Sequence, residues 1–335
     1  MKIKSFTKLN KPLLVAEIGN NHEGSFKNAV RLINLAKKAG ADAVKFQHII
    51  PEKLYHHTDK KRINFLRRVC LNLEDFKKLS KISKKKNLLF SITPFDEDSV
   101  EYLKRYVDIF KISSSDNNYF RLIDKILITN KPIIISTGLS SYLQINKLYK
   151  HIISKTKNLN KVCLLHCVSN YPTNYKDVNL NFINLMKKDF KKISIGYSDH
   201  VPGVNASIIA CSLGIKVLEK HFTLNKKFSS FRDHQLSADY KDLKFIKEFL
   251  DNFQLILGKI KSKNKILTDK MQINNLRRST YLNKDINKNK EIFYNDLSFL
   301  RPKKKDNLND FYKFKKSKVK KNFKKGSLIQ FKDLY

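Results

Sequence analysis

The sequence has few cysteines, and none of them stands in a CxxC pair. The four residues, Cys70, Cys163, Cys167 and Cys211, lie inside apolar runs of the 335-residue chain. Such spacing is typical of reduced core residues and argues against a disulfide framework. Cys163 and Cys167 fall on one face of a predicted strand, which leaves a soft-metal role open as a minor alternative.

Long apolar runs are also missing. No stretch approaches the roughly 20 residues that a membrane-spanning helix requires. The N-terminal segment MKIKSFTKLNKPLLVAEIG has only a short apolar run and no small-residue cleavage site, so a signal peptide is not expected. We therefore predict a cytoplasmic protein without a membrane partner.

Acidic residues are scarce: 68 Lys and Arg face 30 Asp and Glu, which leaves a net charge of +38. One explanation is a polyanionic partner such as nucleic acid or an anionic membrane surface. The other is a general lysine bias on solvated helix faces. The second is favoured because the lysines are spread over many predicted helices and lack interleaved stacking aromatics. Only the C-terminal runs RPKKKD and KFKKSKVKKNFKK concentrate charge, and no nucleic-acid partner is expected.

Apolar runs alternate with amphipathic segments eight times within roughly 240 residues. The runs are continuously apolar, as the strands of a parallel sheet covered by helices require. Eight such units predict a TIM (β/α)8 barrel. An open doubly wound sheet is the alternative fold, but no GxGxxG follows the first run. The predicted strands are 13–19, 43–47, 88–95, 108–115, 132–138, 162–169, 193–200 and 215–223.

The pattern changes near Leu276. From Arg277 onward, short strand-like runs are separated by Asn- and Lys-rich turns, and KGSLIQFKDLY ends the chain in the same manner. We therefore predict a catalytic barrel over 1–263, a linker over 264–275 and a small β-rich domain over 276–335.

Two histidines follow neighbouring predicted strands, one βα unit apart. His200 ends SDH and His221 ends EKH. Because active sites of such barrels form at the carboxyl ends of the strands, the two imidazoles are expected side by side. With nearby carboxylates they would suit a divalent cation, although spacing alone leaves unrelated loop histidines as an equal alternative.

Two lysines lie inside apolar runs: Lys45 in AVKFQ and Lys111 in IFKIS. An unpaired ammonium would be costly there, so an anionic ligand is the predicted partner. Together with the histidines and several strand-end hydroxyls, they predict a metal-assisted reaction on a phosphorylated or carboxylated small molecule.

The chain resembles the sialic acid synthases, a family that uses phosphoenolpyruvate. The resemblance covers Leu13 to Asp239 and resumes in the C-terminal segment, which looks like the family's antifreeze-like SAF domain. It rests on the ordered motifs AEIGNNHEGS, AVKFQ, SITPFD, FKISSSDNN, PIIISTG, LLHCVSNYPT, IGYSDHVPG and LEKHFT.

This resemblance implies a TIM barrel followed by a small SAF domain that is exchanged across a homodimer. The implied reaction condenses phosphoenolpyruvate with an N-acylated mannosamine-type sugar and releases phosphate. A phosphoenolpyruvate-dependent synthase acting on a phosphorylated sugar is an alternative within the same chemistry. A lysine-rich polyanion-binding protein is the alternative from a different class.

The resemblance also implies roles for individual residues. His200 and His221 would bind a divalent metal, manganese or magnesium. The groups around phosphoenolpyruvate would be Lys45, Thr93, Lys111, Ser114, Ser136 and Ser198. The acceptor sugar would lie against Glu17, Gln47, Tyr171 and Asp233. Asp116 takes the position of the catalytic carboxylate, with Glu17 and Tyr171 as further catalytic candidates.

The chain departs from the family pattern at two places. Arg301 in LRP resembles the arginine that the partner's C-terminal domain inserts into the site, but Lys303, Lys304 and Lys305 replace the family's Gly-Asn-Gly loop. Ser169 and Asn170 stand where some members have Asn and an apolar residue. The identity of the acceptor sugar is not decided by the sequence.

Overall fold

A computed structural model describes residues 3–231, 233–258, 270–301 and 316–335. The chain forms two compact units, Met1–Gly258 and Lys259–Tyr335. The first part of the predicted linker, 264–269, lies outside the described residues. Its remainder is taken up by a short helix, Lys270–Leu276.

The first unit is a closed barrel of eight parallel strands, in which each strand pairs with the next and the last pairs with the first. The predicted (β/α)8 barrel is confirmed, and the open-sheet alternative is wrong. The strands are β1 Leu13–Gly19, β2 Ala43–His48, β3 Leu89–Pro94, β4 Ile109–Ile112, β5 Ile133–Ser136, β6 Val162–Cys167, β7 Ser194–Asp199 and β8 Val217–His221.

Helices surround the strands, and most coincide with the predicted amphipathic segments. They are α1 Phe26–Ala39, α2 Pro51–Leu54, α3 Lys60–Val69, α4 Leu73–Lys85, α5 Glu97–Leu103, α6 Phe120–Ile128, α7 Tyr142–Lys155, α8 Asn181–Asp189, α9 Asn205–Ser212, α10 Asp233–Leu236 and α11 Tyr240–Leu257. Two of them, α2 and α3, occupy the connection after β2, which the sequence indicated only as a long polar loop. The helix α3 buries only Ile63 and Leu66 and is rich in basic residues, so its apolar content is low.

Alternate strand residues face the barrel interior, and the interior changes character along its axis. At the amino end the inward residues are apolar, and Ile3, Phe6 and Leu9 close that end. Gly196 occupies one crowded inward position, where a Cβ would lie 2.4 Å from Leu165 Cδ2 and 2.5 Å from the Val217 carbonyl oxygen. Toward the carboxyl end the inward positions become polar. They are Glu17, Lys45, Lys111, Ser136, Ser198, Glu219 and His221.

The second unit begins with helix α12, Lys270–Leu276, and contains a two-stranded antiparallel sheet of β9, Ser279–Leu282, and β10, Leu297–Leu300. An isolated bridge joins Tyr281 of β9 to Leu328 in the last described segment. A separate small core holds the unit together. The fold is consistent with the predicted SAF-type domain.

None of the helices in the described ranges has the length and apolar character that crossing a bilayer requires.

Candidate active site

A cluster of four ionic side chains is buried at the carboxyl end of the barrel. Lys45 Nζ lies 2.9 Å from Glu17 Oε2 and 3.4 Å from Glu219 Oε2, and Lys111 Nζ lies 3.5 Å from Glu219 Oε1. All four side chains are at most 5% exposed. These two lysines, for which the sequence predicted an anionic ligand, thus also have protein counterions. Their charges are balanced by carboxylates from β1 and β8 that are remote in sequence.

The two glutamates of this cluster differ in acidity. Burial raises the pKa of Glu17 to about 7, against the opposing attraction of Lys45. Burial opposes ionisation of Glu219 as well, but Lys111 and Lys45 outweigh it and lower its pKa to about 2. Glu219 therefore carries the stable negative charge between the two ammonium groups. Glu17 is the member that can take up or release a proton near neutral pH.

Hydroxyl groups from the ends of four strands lie near Lys111. Its ammonium donates to Ser136 Oγ at 2.7 Å, and Ser198 Oγ donates to Glu219 at 2.9 Å. A Cβ at Gly138 would lie 2.3 Å from Ser169 Oγ and 2.7 Å from Ser114 Oγ. The loops after β4, β5 and β6 can meet this closely only because position 138 has no side chain. The result is a pocket rich in small polar groups.

Two histidines stand next to this cluster. The ring centroids of His200 and His221 are 5.2 Å apart, and the Tyr171 ring lies 4.2 Å from the His200 ring. His200 Nδ1 donates to the Val168 carbonyl oxygen at 2.8 Å. Because that bond uses Nδ1, the Nε2 nitrogen of His200 is left to accept a proton or a metal.

An ion pair between Lys220 of β8 and Asp199 of β7 positions the two histidines that follow these residues. Lys220 Nζ lies 2.9 Å from Asp199 Oδ2, and both side chains are fully buried. Asp199 also accepts hydrogen bonds from Ser207 Oγ at 2.6 Å and from the Val201 amide at 2.9 Å. These bonds hold the ends of β7 and β8 together, so the two imidazoles that follow have a defined separation.

The donor set at the histidines fits a divalent metal. His221 Nδ1 is buried and has no hydrogen-bond partner among the described residues. Burial and the neighbouring His200 lower the pKa of His221, so it stays neutral, which is the ligating form. The described residues contain no group of three His, Cys, Asp or Glu side chains that could hold a metal. Water or substrate oxygens would therefore complete the coordination.

A cleft of about 970 Å³ is linked to these groups by the Gln47–Glu17 hydrogen bond and the Tyr171–His200 ring contact. That volume is at the upper end of the roughly 300–1,000 Å³ common for small-molecule sites. Its polar lining includes Asn20, Gln47, Asp116, Tyr171 and Asp233. Four of these five residues were predicted to contact the acceptor or to act in catalysis, and the structure places them around one cavity.

The remaining predicted residues fall as follows. Gln47 Nε2 donates to Glu17 Oε1 at 3.1 Å, which joins the cleft to the ionic cluster. Thr93 is buried on β3, where it is paired with Gln47 of the neighbouring strand β2. Its hydroxyl has no hydrogen-bond partner among the described residues. The carboxylate of Asp116 accepts hydrogen bonds from Ser113 and Ser115. Asp233 Oδ2 lies 3.9 Å from His221 Nδ1.

Arg301 belongs to the second unit, where it is exposed at the end of β10. Lys303, Lys304 and Lys305 lie outside the described residues. The role of Arg301 and the homodimer both stay predictions from the resemblance.

Sequence reasoning missed two residues of the site. Glu219 was noted only as a strand-end residue, yet it contacts both lysines. Cys167 was interpreted as an ordinary core residue, but its sulfur lies 3.8 Å from His200 Nδ1 and 3.6 Å from Ser114 Oγ. All four cysteines are free, as expected. The inward position of Cys167 at the end of β6 was the available signal.

Residues 32–262 match the model of the NeuB family. This stretch covers more than half of the chain. The chain belongs to the NeuB family. The resemblance to the sialic acid synthases is therefore confirmed, and the protein is an enzyme, a carbon–carbon bond-forming synthase of the transferase class. The polyanion-binding alternative is not needed to explain the polar residues at the carboxyl ends of the strands.

Individual relatives agree with this family. The N,N'-diacetyllegionaminic acid synthase of Campylobacter jejuni is 32% identical over 337 residues, which cover 96% of this chain and 100% of the relative. The human N-acetylneuraminate-9-phosphate synthase is 34% identical over 69% of this chain and 67% of its own length. The crystal structure of an N-acetylneuraminic acid synthetase from Leptospira borgpetersenii superposes with a TM-score of 0.70 at 31% identity. The superposition covers 78% of this chain and 89% of the chain in that structure.

Proposed function

We propose that this enzyme condenses phosphoenolpyruvate with an N-acylated mannosamine-type sugar, forming a nonulosonic acid and releasing phosphate. The observation that carries the proposal is the buried cluster of two lysines and nearby hydroxyls, which the Gln47–Glu17 hydrogen bond joins to a polar cleft. Phosphoenolpyruvate brings a phosphate and a carboxylate, and ammonium and hydroxyl groups are the donors that such anions prefer. The relatives are themselves synthases of legionaminic or neuraminic acids, which supports the proposal.

The proton state of Glu17 supports anion binding by this cluster. With both glutamates ionised, the two lysines are neutralised and offer little net charge to a ligand. Protonation of Glu17, whose pKa is raised to about 7, leaves Lys45 and Lys111 with one excess positive charge. Entry of the anionic substrate would favour that protonated state, because the cluster is buried and unbalanced charge there is costly.

In the proposed reaction, a carbon–carbon bond forms between C3 of phosphoenolpyruvate and the aldehyde carbon of the open-chain sugar. The aldehyde oxygen gains a proton, water adds to C2, and the C2–O bond to phosphate breaks. Glu17 and Asp116 are our candidates for moving these protons: Glu17 is hydrogen-bonded to the cleft residue Gln47, and Asp116 lines the cleft. A divalent cation bound by His200 and His221 would polarise the aldehyde carbonyl.

The proposal is tested by measuring phosphate release from the purified protein with phosphoenolpyruvate, Mn²⁺ and a panel of acceptors. N-acetylmannosamine or a 2,4-diacetamido-trideoxy analogue should support release, and mass spectrometry should show the acceptor extended by a pyruvate unit. Reactions without acceptor are the control. Release only with sugar phosphates would favour the alternative acceptor class. No release with any acceptor, phosphorylated ones included, would refute the proposal.

The metal assignment is testable without measuring activity. Mn²⁺ at about 100 times its Kd should stabilise metal-free wild-type protein by about 2.7 kcal/mol, which is seen as a rise in melting temperature. The His221→Ala variant should lose most of this rise because one of two imidazole ligands is gone. His151→Ala is the matched control: this histidine on α7 pairs with Asp124 at 2.7 Å. An unchanged Mn²⁺ effect in His221→Ala would contradict the assignment.

A further inference from the structure

His234 is a buried histidine that none of the roles assigned above uses. It lies on the short helix α10, is fully buried and does not line the cleft. Both of its ring nitrogens have partners: Nδ1 lies 2.7 Å from Thr223 Oγ1, and Nε2 lies 2.9 Å from Glu23 Oε1. Contacts on both nitrogens fix the position and the orientation of an imidazole ring.

The two partners of His234 come from the two strands that close the barrel. Glu23 belongs to the loop after β1, and Thr223 follows β8, which pairs with β1. The Glu23 carboxylate also accepts a hydrogen bond from Ser229 in the loop after β8. Ser229 precedes Asp233 in the chain and His234 follows it. Residues on both sides of Asp233 are therefore tied to the same carboxylate.

A second set of hydrogen bonds ties the beginning of α10 to the same strands. Asn21 Nδ2 donates to the Phe222 carbonyl oxygen at 2.9 Å and to Ser237 Oγ at 3.0 Å. Ser237 Oγ in turn donates to the Asp233 carbonyl oxygen at 2.6 Å. The side chains of Asn21 and Ser237 are buried, so these bonds are shielded from water. The backbone of Asp233 is thereby held relative to β1 and β8.

The functional group nearest to this network is the Asp233 carboxylate. Asp233 Oδ2 lies 3.9 Å from His221 Nδ1, and the same side chain lines the cleft. The helix α10 has only four residues, and a helix of one turn is unstable by itself. The position of this carboxylate therefore depends on the side-chain bonds that anchor α10.

We propose that His234 is a positioning residue for the reaction: by joining Glu23 to Thr223, it holds the Asp233 carboxylate where the acceptor sugar binds. The proposal rests on the proposed function and gives His234 no contact with substrate. A buried polar network whose members are all hydrogen-bonded favours one arrangement of those members. A misplacement of about 1 Å, caused by a residue away from the chemistry, lowers rates by up to about 10²-fold.

Two substitutions separate the two ends of this link. The amide of glutamine can take the place of Nε2, and the amide of asparagine can take the place of Nδ1. His234→Gln therefore keeps a partner for Glu23, whereas His234→Asn keeps one only for Thr223. We expect His234→Asn to raise the KM for the acceptor by about tenfold or more, and His234→Gln to raise it by about threefold at most.

The KM for phosphoenolpyruvate is the internal reference. The proposed phosphoenolpyruvate site, at Lys45 and Lys111, shares no hydrogen bond with His234 among the described residues. This KM should therefore change by about twofold at most in both variants. Phosphate release at varied acceptor and at varied phosphoenolpyruvate, each with the other substrate saturating, measures the two constants.

His166→Gln is the matched control. His166 is also buried, and its Nε2 lies 2.8 Å from the Val178 carbonyl oxygen. Its ring packs against Phe182 of α8, outside the barrel interior. The control variant should lower the melting temperature without changing either KM, which is the behaviour expected of a histidine with a purely structural role.

Limited proteolysis gives a readout that does not depend on activity. Lys226 and Lys227 lie in the loop after β8, and trypsin cleaves such a site when the loop opens locally. We expect cleavage there, identified by mass spectrometry, to be about tenfold faster in His234→Asn than in the wild type. His234→Gln should be cleaved more slowly than His234→Asn, and His166→Gln at the wild-type rate.

The outcomes distinguish this inference from the proposed function. An acceptor KM in His234→Asn equal to that of the wild type would overturn the inference and leave the function intact. Equal increases in the KM of both substrates, or equal effects of His234→Asn and His166→Gln, would also overturn it. No phosphate release from the wild type with any acceptor would refute the proposed function and, with it, a role in acceptor binding. The cleavage rates would then still show whether His234 anchors the loop.

Discussion

The Lys220→Met variant is expected to lose about 3–5 kcal/mol of the barrel's free energy of unfolding. Lys220 and Asp199 are fully buried and only 2.9 Å apart, so removing the ammonium leaves a carboxylate without a counterion in the interior. Asp199 retains hydrogen bonds from Ser207 and the Val201 amide, which reduce this cost but do not remove it. Thermal or denaturant unfolding, followed by far-UV circular dichroism, measures the change.

An exposed lysine provides the matched control for this experiment. Lys226→Met removes a salt bridge to Asp242 whose lysine side chain is 38% exposed, and such pairs contribute about 0–1 kcal/mol. The double variant Lys220→Met with Asp199→Asn should recover part of the lost stability, because the isolated charge is also gone. If Lys220→Met were no less stable than Lys226→Met, the buried pair would not hold β7 and β8 as described.

The Lys111→Met variant should reduce kcat/KM for phosphoenolpyruvate by about 10²- to 10³-fold. Truncating one partner of a buried charged contact typically costs about 2–5 kcal/mol, and about 1.4 kcal/mol corresponds to a factor of ten. Lys111 is 2% exposed and sits between Glu219 and Ser136, where a bound phosphate or carboxylate would take up its charge. Steady-state phosphate release at varied phosphoenolpyruvate measures the effect.

Folding of this variant should be largely retained, which keeps the kinetic result interpretable. Glu219 keeps Lys45 and Ser198 as partners, and Glu17 can take up a proton because burial raises its pKa to about 7. Lys216→Met is the control: its ammonium donates to the Leu9 carbonyl oxygen at the amino end of the barrel, away from the site. A folded Lys111→Met protein with unchanged kinetics would show that the cluster does not bind the anionic substrate.

The strand positions could be predicted because parallel strands in a barrel are covered on both sides. The runs LLVAEIG and VCLLHC are apolar apart from Glu17 and His166, and every residue of both strands is buried. Polar residues stand at or near the carboxyl ends of these runs, from Glu17 in β1 to His221 in β8. In a parallel barrel all carboxyl ends lie at the same end, so these residues were expected to lie together once eight strands had been counted.

The partners of the buried lysines could not be predicted in the same way. Lys45 and Lys111 stood out because an ammonium in an apolar run needs a counterion. Which counterion it finds depends on the register between β1 and β2 and on closure of β8 against β1, which bring Glu17 and Glu219 into the interior. Sequence neighbours carry no information about that register.

Helix α3 shows a second limit. KKRINFLRRV has five basic residues in ten and buries two side chains, so its apolar content is too low to set it apart from a polar loop. Docking of α3 beside the barrel mouth, together with the Asp59 cap, decides its structure. The side of the cleft that Phe65, Leu66 and Val69 line therefore exists only in the folded protein.

The amino-acid sequence by itself determined the eight βα units, the separate C-terminal domain type and the family, because each depends on local periodicity or on short ordered motifs. Tertiary structure decided the charge balance of the four buried ionic groups, the place of Cys167 beside His200 and the close approach at Gly138. These features join residues from strands far apart in the chain. Their distances are set by barrel closure, which no local pattern encodes.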